Sequence, residues 1–133
     1  MRKEQMFELI NADSPPDAMR EACFRLVDYV FSHDDLSHLT FTKLARVIDT
    51  NDPALVLKVA QYVAGASVQL LDMRFELIEG DDVFYLDDEY IEEYRMTGKL
   101  MHPGMGVEVE DVESKIYPYF VPSKAVVEGE KND

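Results

Sequence analysis

Apolar residues recur with helical spacing through the first half of the chain and with strand spacing in its middle. Residues 3–11 set Met6, Phe7, Leu9 and Ile10 among charged neighbours and form a short amphipathic segment. Asn11-Ala12-Asp13 interrupts it. Ser14 is then placed to cap a second helix, with Pro15 in its first turn. That helix has the clearest signature in the chain. Met19, Ala22, Cys23, Leu26, Val27, Val30 and Phe31 make one broad stripe, Arg20, Glu21, Arg25 and Asp28 lie off it, and the end falls near Ser32-His33-Asp34. Thr40 caps a third helix buried through Phe41, Leu44, Ala45 and Ile48. Asp52 caps a fourth with Pro53 at its first position, buried through Val56, Val59, Ala60 and Val63 and stopped at Gly65.

Over residues 68–78 the period falls to two. Leu71, Met73, Phe75 and Leu77 alternate with Asp72, Arg74 and Glu76, the pattern of a half-buried strand that keeps those polar residues in solvent. Glu79-Gly80-Asp81-Asp82 has turn chemistry, and Val83-Phe84-Tyr85-Leu86 returns as a second strand. Asp87 or Asp88 caps a last helix with Tyr90, Ile91 and Tyr94 inward and Gly98 at its end. Beyond Gly98 the texture changes. His102-Pro103-Gly104-Met105-Gly106 reads as a turn, and Pro118 and Pro122 forbid a helix or a central strand around Tyr117, Tyr119 and Phe120. The expected organisation is a domain over 1–98, an extended proline- and aromatic-bearing arm over 99–122, and a disordered tail over 123–133.

Charge narrows the function classes. The net charge is −14, and residues 76–93 hold nine acids and no base. A polyanion is repelled by such a field, whereas a basic protein partner is not. A lone Cys23 excludes an intramolecular disulfide and fits a reducing cytoplasm. No apolar run reaches the ~18 residues of a membrane span, and the charged N-terminal residues do not read as a signal peptide.

The matching stretches are Leu39–Ile48 and Asp52–Gly65 as two helices of a helix-turn-helix, followed by Met73–Leu86 as a hairpin. In this order the chain resembles the winged helix-turn-helix superfamily over about half its length. The resemblance implies a mainly α fold with a small antiparallel β-hairpin. It also implies a recognition helix whose outward face carries Ala54, Leu55, Lys58, Gln61 and Tyr62, and a wing at 73–86. In DNA-binding members the wing offers Lys or Arg to phosphate. Here it offers carboxylates, so the chain is more similar to members that bind proteins.

The expected function is therefore a protein-interaction module acting as an adaptor, inhibitor or regulatory subunit. Its contact residues are Leu55, Lys58, Gln61 and Tyr62 on the fourth helix and Tyr117, Tyr119 and Phe120 on the arm, where aromatics on a stiff backbone bind at low entropic cost. The aromatics would serve equally well to seal the domain's own core. Self-association through Met6, Phe7, Leu9 and Ile10 is a further expectation, because that set needs cover. The alternative function is a DNA-binding regulator using Lys43, Arg46, Lys58 and Arg74. The acidic run 87–93 lacks the spacing of a calcium loop and reads as a helix start favoured by the helix dipole. His33, His38 and His102 have no metal-ligand spacing, Cys23 sits on an apolar stripe, and no phosphate loop, nucleophile elbow or HExxH motif occurs. No catalytic residue, metal or cofactor is expected.

Overall fold

The computed structural model describes residues 1–33, 35–65 and 67–126. Helices α1 (Lys3–Asp13), α2 (Asp17–Ser32), α3 (Phe41–Val47) and α4 (Pro53–Val63) are followed by strands β1 (Leu71–Glu79) and β2 (Asp82–Leu86). Helix α5 (Asp88–Thr97), a single 3₁₀ turn at Val112–Ser114 and strand β3 (Ile116–Pro122) complete the order. The strands form one antiparallel sheet in the order β2-β1-β3. The fold is thus helices with a three-stranded sheet, one strand more than the hairpin expected from the sequence. No helix among the described residues is long and apolar enough to cross a membrane.

Contacts divide the chain into two compact units. Among the described residues, the first holds Met1–Asp72 and Phe120–Val126, and the second is Met73–Tyr119. In the first unit the stripe of α2 is buried as its periodicity requires, with Ala22, Cys23, Leu26, Val27 and Val30 at 3% exposure or less. Met6 and Ile10 of α1 are fully buried in the same core, and Phe7 meets Phe24 edge-to-face with centroids 4.9 Å apart. Met6, Phe7 and Ile10 thus find cover within the chain, while Leu9 is half-buried at the surface. Ser14 does not cap α2. It ends α1 in the left-handed conformation, its amide donating to Asn11 O, and Pro16 precedes α2. The chain must reverse between two antiparallel neighbours in three residues, and a left-handed residue achieves this.

The last stretch of residues 99–122 is the edge strand β3, where proline is tolerated because one side of the strand needs no ladder donor. Leu39 and Phe120 exchange backbone hydrogen bonds of 2.9 and 2.8 Å, Ser123 N donates to Leu70 O, and Phe120 is fully buried against Phe41. Residues 123–126 are also placed in the first unit, with Ser123 and Val126 buried, whereas 127–133 of the expected tail lie outside the described residues.

In the second unit β1 pairs with β2 in a register that sets Glu76 against Tyr85 and Ile78 against Val83. Paired side chains share a face, so Phe75, Leu77, Phe84 and Leu86 face one way. That face is closed by Ile91 from α5 and by Leu100 and Val109. The strict alternation expected of β1 fails at two positions. Met73 is 41% exposed, because β2 ends at Leu86 opposite Phe75 and leaves Met73 beyond the covered stretch. Glu76 is only 4% exposed, because β1 is the central strand and the residues flanking it on that face are tyrosines.

Candidate functional site

The α3–α4 corner is built by local chemistry that the sequence displays. Thr40 Oγ1 accepts from Lys43 N at 3.2 Å, Asp52 Oδ1 accepts from Ala54 N at 3.0 Å, and Thr50 Oγ1 accepts from Asp52 N at 3.1 Å. Each bond satisfies a main-chain donor that the helix or turn itself leaves open. Between the two helices lies an apolar hollow of about 490 Å³ lined by Phe41, Thr42, Ala45, Asn51, Pro53, Val56 and Leu57. Leu57 stands at 47% exposure and was not among the residues expected at a contact surface. It follows Val56 directly, so it lies off the buried stripe, and a large apolar residue at an off-stripe position was the available signal.

The expected contact face of α4 is only partly presented. Ala54, Lys58 and Gln61 are exposed. Leu55 is half-buried and packs on the core. Tyr62 is half-buried too, and its hydroxyl donates to Asp13 Oδ2 at 2.5 Å, tying α4 to the end of α1. Burial and that bond to a carboxylate push the Tyr62 phenol above its ordinary range. Of the β3 aromatics, Tyr117 is 46% exposed, with its hydroxyl donating to Ser114 O, whereas Tyr119 and Phe120 are 6% and 0% exposed. Phe120 is a core residue of the first unit and is not available to a partner. The hydrophobic demand of the aromatic cluster is met within the chain at that position.

The basic residues Lys43, Arg46 and Lys58 are exposed on α3 and α4, and Arg74 is exposed on β1 in the second unit.

The second unit carries a different kind of surface. It has thirteen acidic and four basic side chains, so −9 of the total charge resides there. Seven acids of the 76–93 run are exposed: Asp81, Asp82, Asp87, Asp88, Glu89, Glu92 and Glu93. The same unit holds Met73, Val83, Tyr85, Met96, Met105, Val107 and Tyr117, seven of the nine large apolar side chains exposed among the described residues. On the sheet face opposite α5, Tyr85 at 66% exposure meets Tyr119 with ring centroids 5.8 Å apart. Burial raises the Tyr119 phenol; the Glu76 carboxylate and Tyr85 add to that, while the Arg74 guanidinium opposes it.

A histidine closes the other side of this unit. His102 is 6% exposed, its Nδ1 accepts from the amides of Gly104 and Met105 at 3.0 Å each, and its Nε2 lies 3.5 Å from Glu79 Oε1. The ring also sits edge-on to Phe84 at 4.4 Å. With Nδ1 accepting twice, the ring proton belongs on Nε2, facing the Glu79 carboxylate. The backbone reinforces the loop: His102 N donates to Val107 O, Gly106 N to His102 O and Val109 N to Leu100 O. His102 thus organises a loop. Among the described residues no three His, Cys, Asp or Glu side chains converge as metal ligands. Cys23 is fully buried in α2, and burial pushes its thiol up to about 11.

Comparison of the chain with protein families, curated proteins and solved structures gave no significant match in any of the three.

Proposed function

We propose that this protein is an interaction module that binds another protein, with a winged-helix-like fold and the acidic, apolar-studded second unit as its contact surface. The observation that carries the reading is the coincidence, on the second unit, of −9 charge with seven exposed large apolar side chains. Acid alone is ordinary solvation. Exposed apolar groups set among acids lose water favourably only against a partner that also satisfies the charge.

The winged-helix reading is supported by the order α2, α3, α4, β1, and by the pairing of Leu39, which precedes α3, with Phe120 on β3. Leu39 would then be the short first strand, β1 and β3 the two wing strands, and residues 80–115 an elaboration between them. The hairpin expected over Met73–Leu86 is the β1–β2 pair, and this mapping adds β3 as the second neighbour of β1. The apolar hollow beside Leu57 and the exposed Lys58 and Gln61 would supply a secondary contact on the first unit.

Affinity capture from native host extract with the intact chain tests the reading. A specific protein retained at physiological salt is the expected result; retention of nothing above a charge-matched control rejects it. A second reading, DNA binding, is favoured by the exposure of Lys43, Arg46 and Lys58 on the two helices of the corner. It requires a mobility shift on random duplex at low salt that weakens steeply with salt and is lost in Lys58→Glu. The acidic second unit makes no shift the expected outcome.

A further inference from the structure

The end of the sheet formed by β2 stands without a neighbour. β2 is an edge strand in the order β2-β1-β3, and among the described residues none of its backbone groups bonds to any segment other than β1. Edge strands in natural proteins are blunted by lysine, by proline, by a bulge or by a covering segment, because their open donors and acceptors recruit other strands. β2, Asp82-Val83-Phe84-Tyr85-Leu86, has no lysine and no proline, and it exposes Val83 at 48% and Tyr85 at 66% on one face. Acids stand at both of its ends, Asp81 before it, Asp82 at its first position, and Asp87 and Asp88 after it, all exposed.

We propose that β2 is a strand-addition site for an extended segment of a partner protein, apolar in its middle and bearing Lys or Arg at both ends. This deepens the protein-binding reading and rests on it. The main-chain ladder supplies pairing that any extended segment can make, and side chains on alternate positions supply selectivity. Those positions would land beside Val83 and Tyr85, adding to a face already built of Tyr85 and Tyr119. The four flanking aspartates select the ends. They also disfavour a second copy of this chain, which would bring aspartates against aspartates at both ends and −9 against −9 in the surrounding unit.

The test uses the full chain, isotope-labelled, and three synthetic peptides. One is a β-branched octapeptide with two lysines at each end, one is its glutamate-flanked twin, and one is the lysine peptide N-methylated at alternate backbone nitrogens. The lysine peptide is expected to shift the amides of residues 82–86 and slow their hydrogen exchange. The glutamate twin should do neither, and N-methylation should weaken binding at least tenfold. Equal binding of the N-methylated peptide would reduce the effect to charge attraction and overturn strand addition. Shifts confined to the α3–α4 hollow, or concentration-dependent dimerisation through 82–86 that excludes the peptide, would overturn it as well. The triple variant Asp81→Asn, Asp82→Asn, Asp88→Asn should lose lysine-peptide binding at least fivefold while keeping its fold. If that variant still captures the host partner as well as the parent chain does, the edge proposal fails and the protein-binding reading stands. If the parent chain captures nothing, the broader reading fails whatever the peptides do.

Discussion

Leu39 and Phe120 hold each other by two backbone hydrogen bonds, Leu39 N to Phe120 O at 2.9 Å and Phe120 N to Leu39 O at 2.8 Å, and both side chains are fully buried. A residue just ahead of α3 and one near the end of β3 are thereby made part of one core. The consequence is that the C-terminal third of the chain contributes to the stability of the N-terminal helices. Phe120→Ala should cost about 3–5 kcal/mol, the usual loss for emptying a buried phenylalanine site. Tyr117→Ala, at a 46% exposed position, should cost less than about 1 kcal/mol. Urea unfolding followed by circular dichroism separates the two, and equal effects would contradict the burial difference between these two positions of β3.

The α3–α4 corner offers a smaller, local test. Asp52→Ala removes the side-chain acceptor for Ala54 N and should destabilise by about 1 kcal/mol, while Asp52→Asn should retain most of the cap. A midpoint shift for Asp52→Ala that Asp52→Asn shares in full would mean the cap contributes little.

His102→Ala should loosen the loop from Leu100 to Val109. The change removes the acceptor for the amides of Gly104 and Met105, which lie in an exposed turn, and leaves Phe84 without its edge contact. Each lost hydrogen bond should cost about 1 kcal/mol. Hydrogen exchange should quicken at Gly104 and Met105 first. Unchanged exchange there would show that the imidazole is not what orders the turn.

Cys23 gives a prediction in pH. Its thiol, raised by burial from an ordinary value near 9 to about 11, stays protonated in the fold where the unfolded chain would ionise. The unfolded state therefore gives up its proton first. The associated stability is complete below pH 9 and is lost as pH climbs toward 11. Denaturation midpoints should fall over that window, and the fall should be shallower in Cys23→Ala even though that variant begins less stable. At pH 8 the native thiol should react with a disulfide reagent far more slowly than the denatured one, since reactivity belongs to the exposed thiolate. Rapid native modification would place Cys23 outside the core.

Much of the helical part is legible in the sequence. The stripe of α2, the caps Thr40 and Asp52, the Pro53 start of α4 and the left-handed Gly98 stop of α5 all depend on neighbours within one or two helical turns, so their chemistry is written in consecutive residues. Ser14 illustrates where this ends. Its residue type suits either the start of a helix or the end of the preceding one, and only the reversal between α1 and α2 decides between them.

The sheet and the contact surface depended on the tertiary structure. Period-two reading of β1 assumes a strand with one wet face, and it placed Glu76 in water; the pairing of β1 on both sides put tyrosines over that face and buried the carboxylate instead. The same pairing consumed Phe120 and Tyr119, left Tyr117 outside, and set β2 at one edge of the sheet and the proline-bearing β3 at the other. Strand partners are chosen across long stretches of chain, by loop closure and shared burial, and no local spacing records that choice. Amino-acid order alone determined which segments are helical, the caps at Thr40 and Asp52, and where the acid collects. Long-range pairing decided which apolar side chains were left over for a partner.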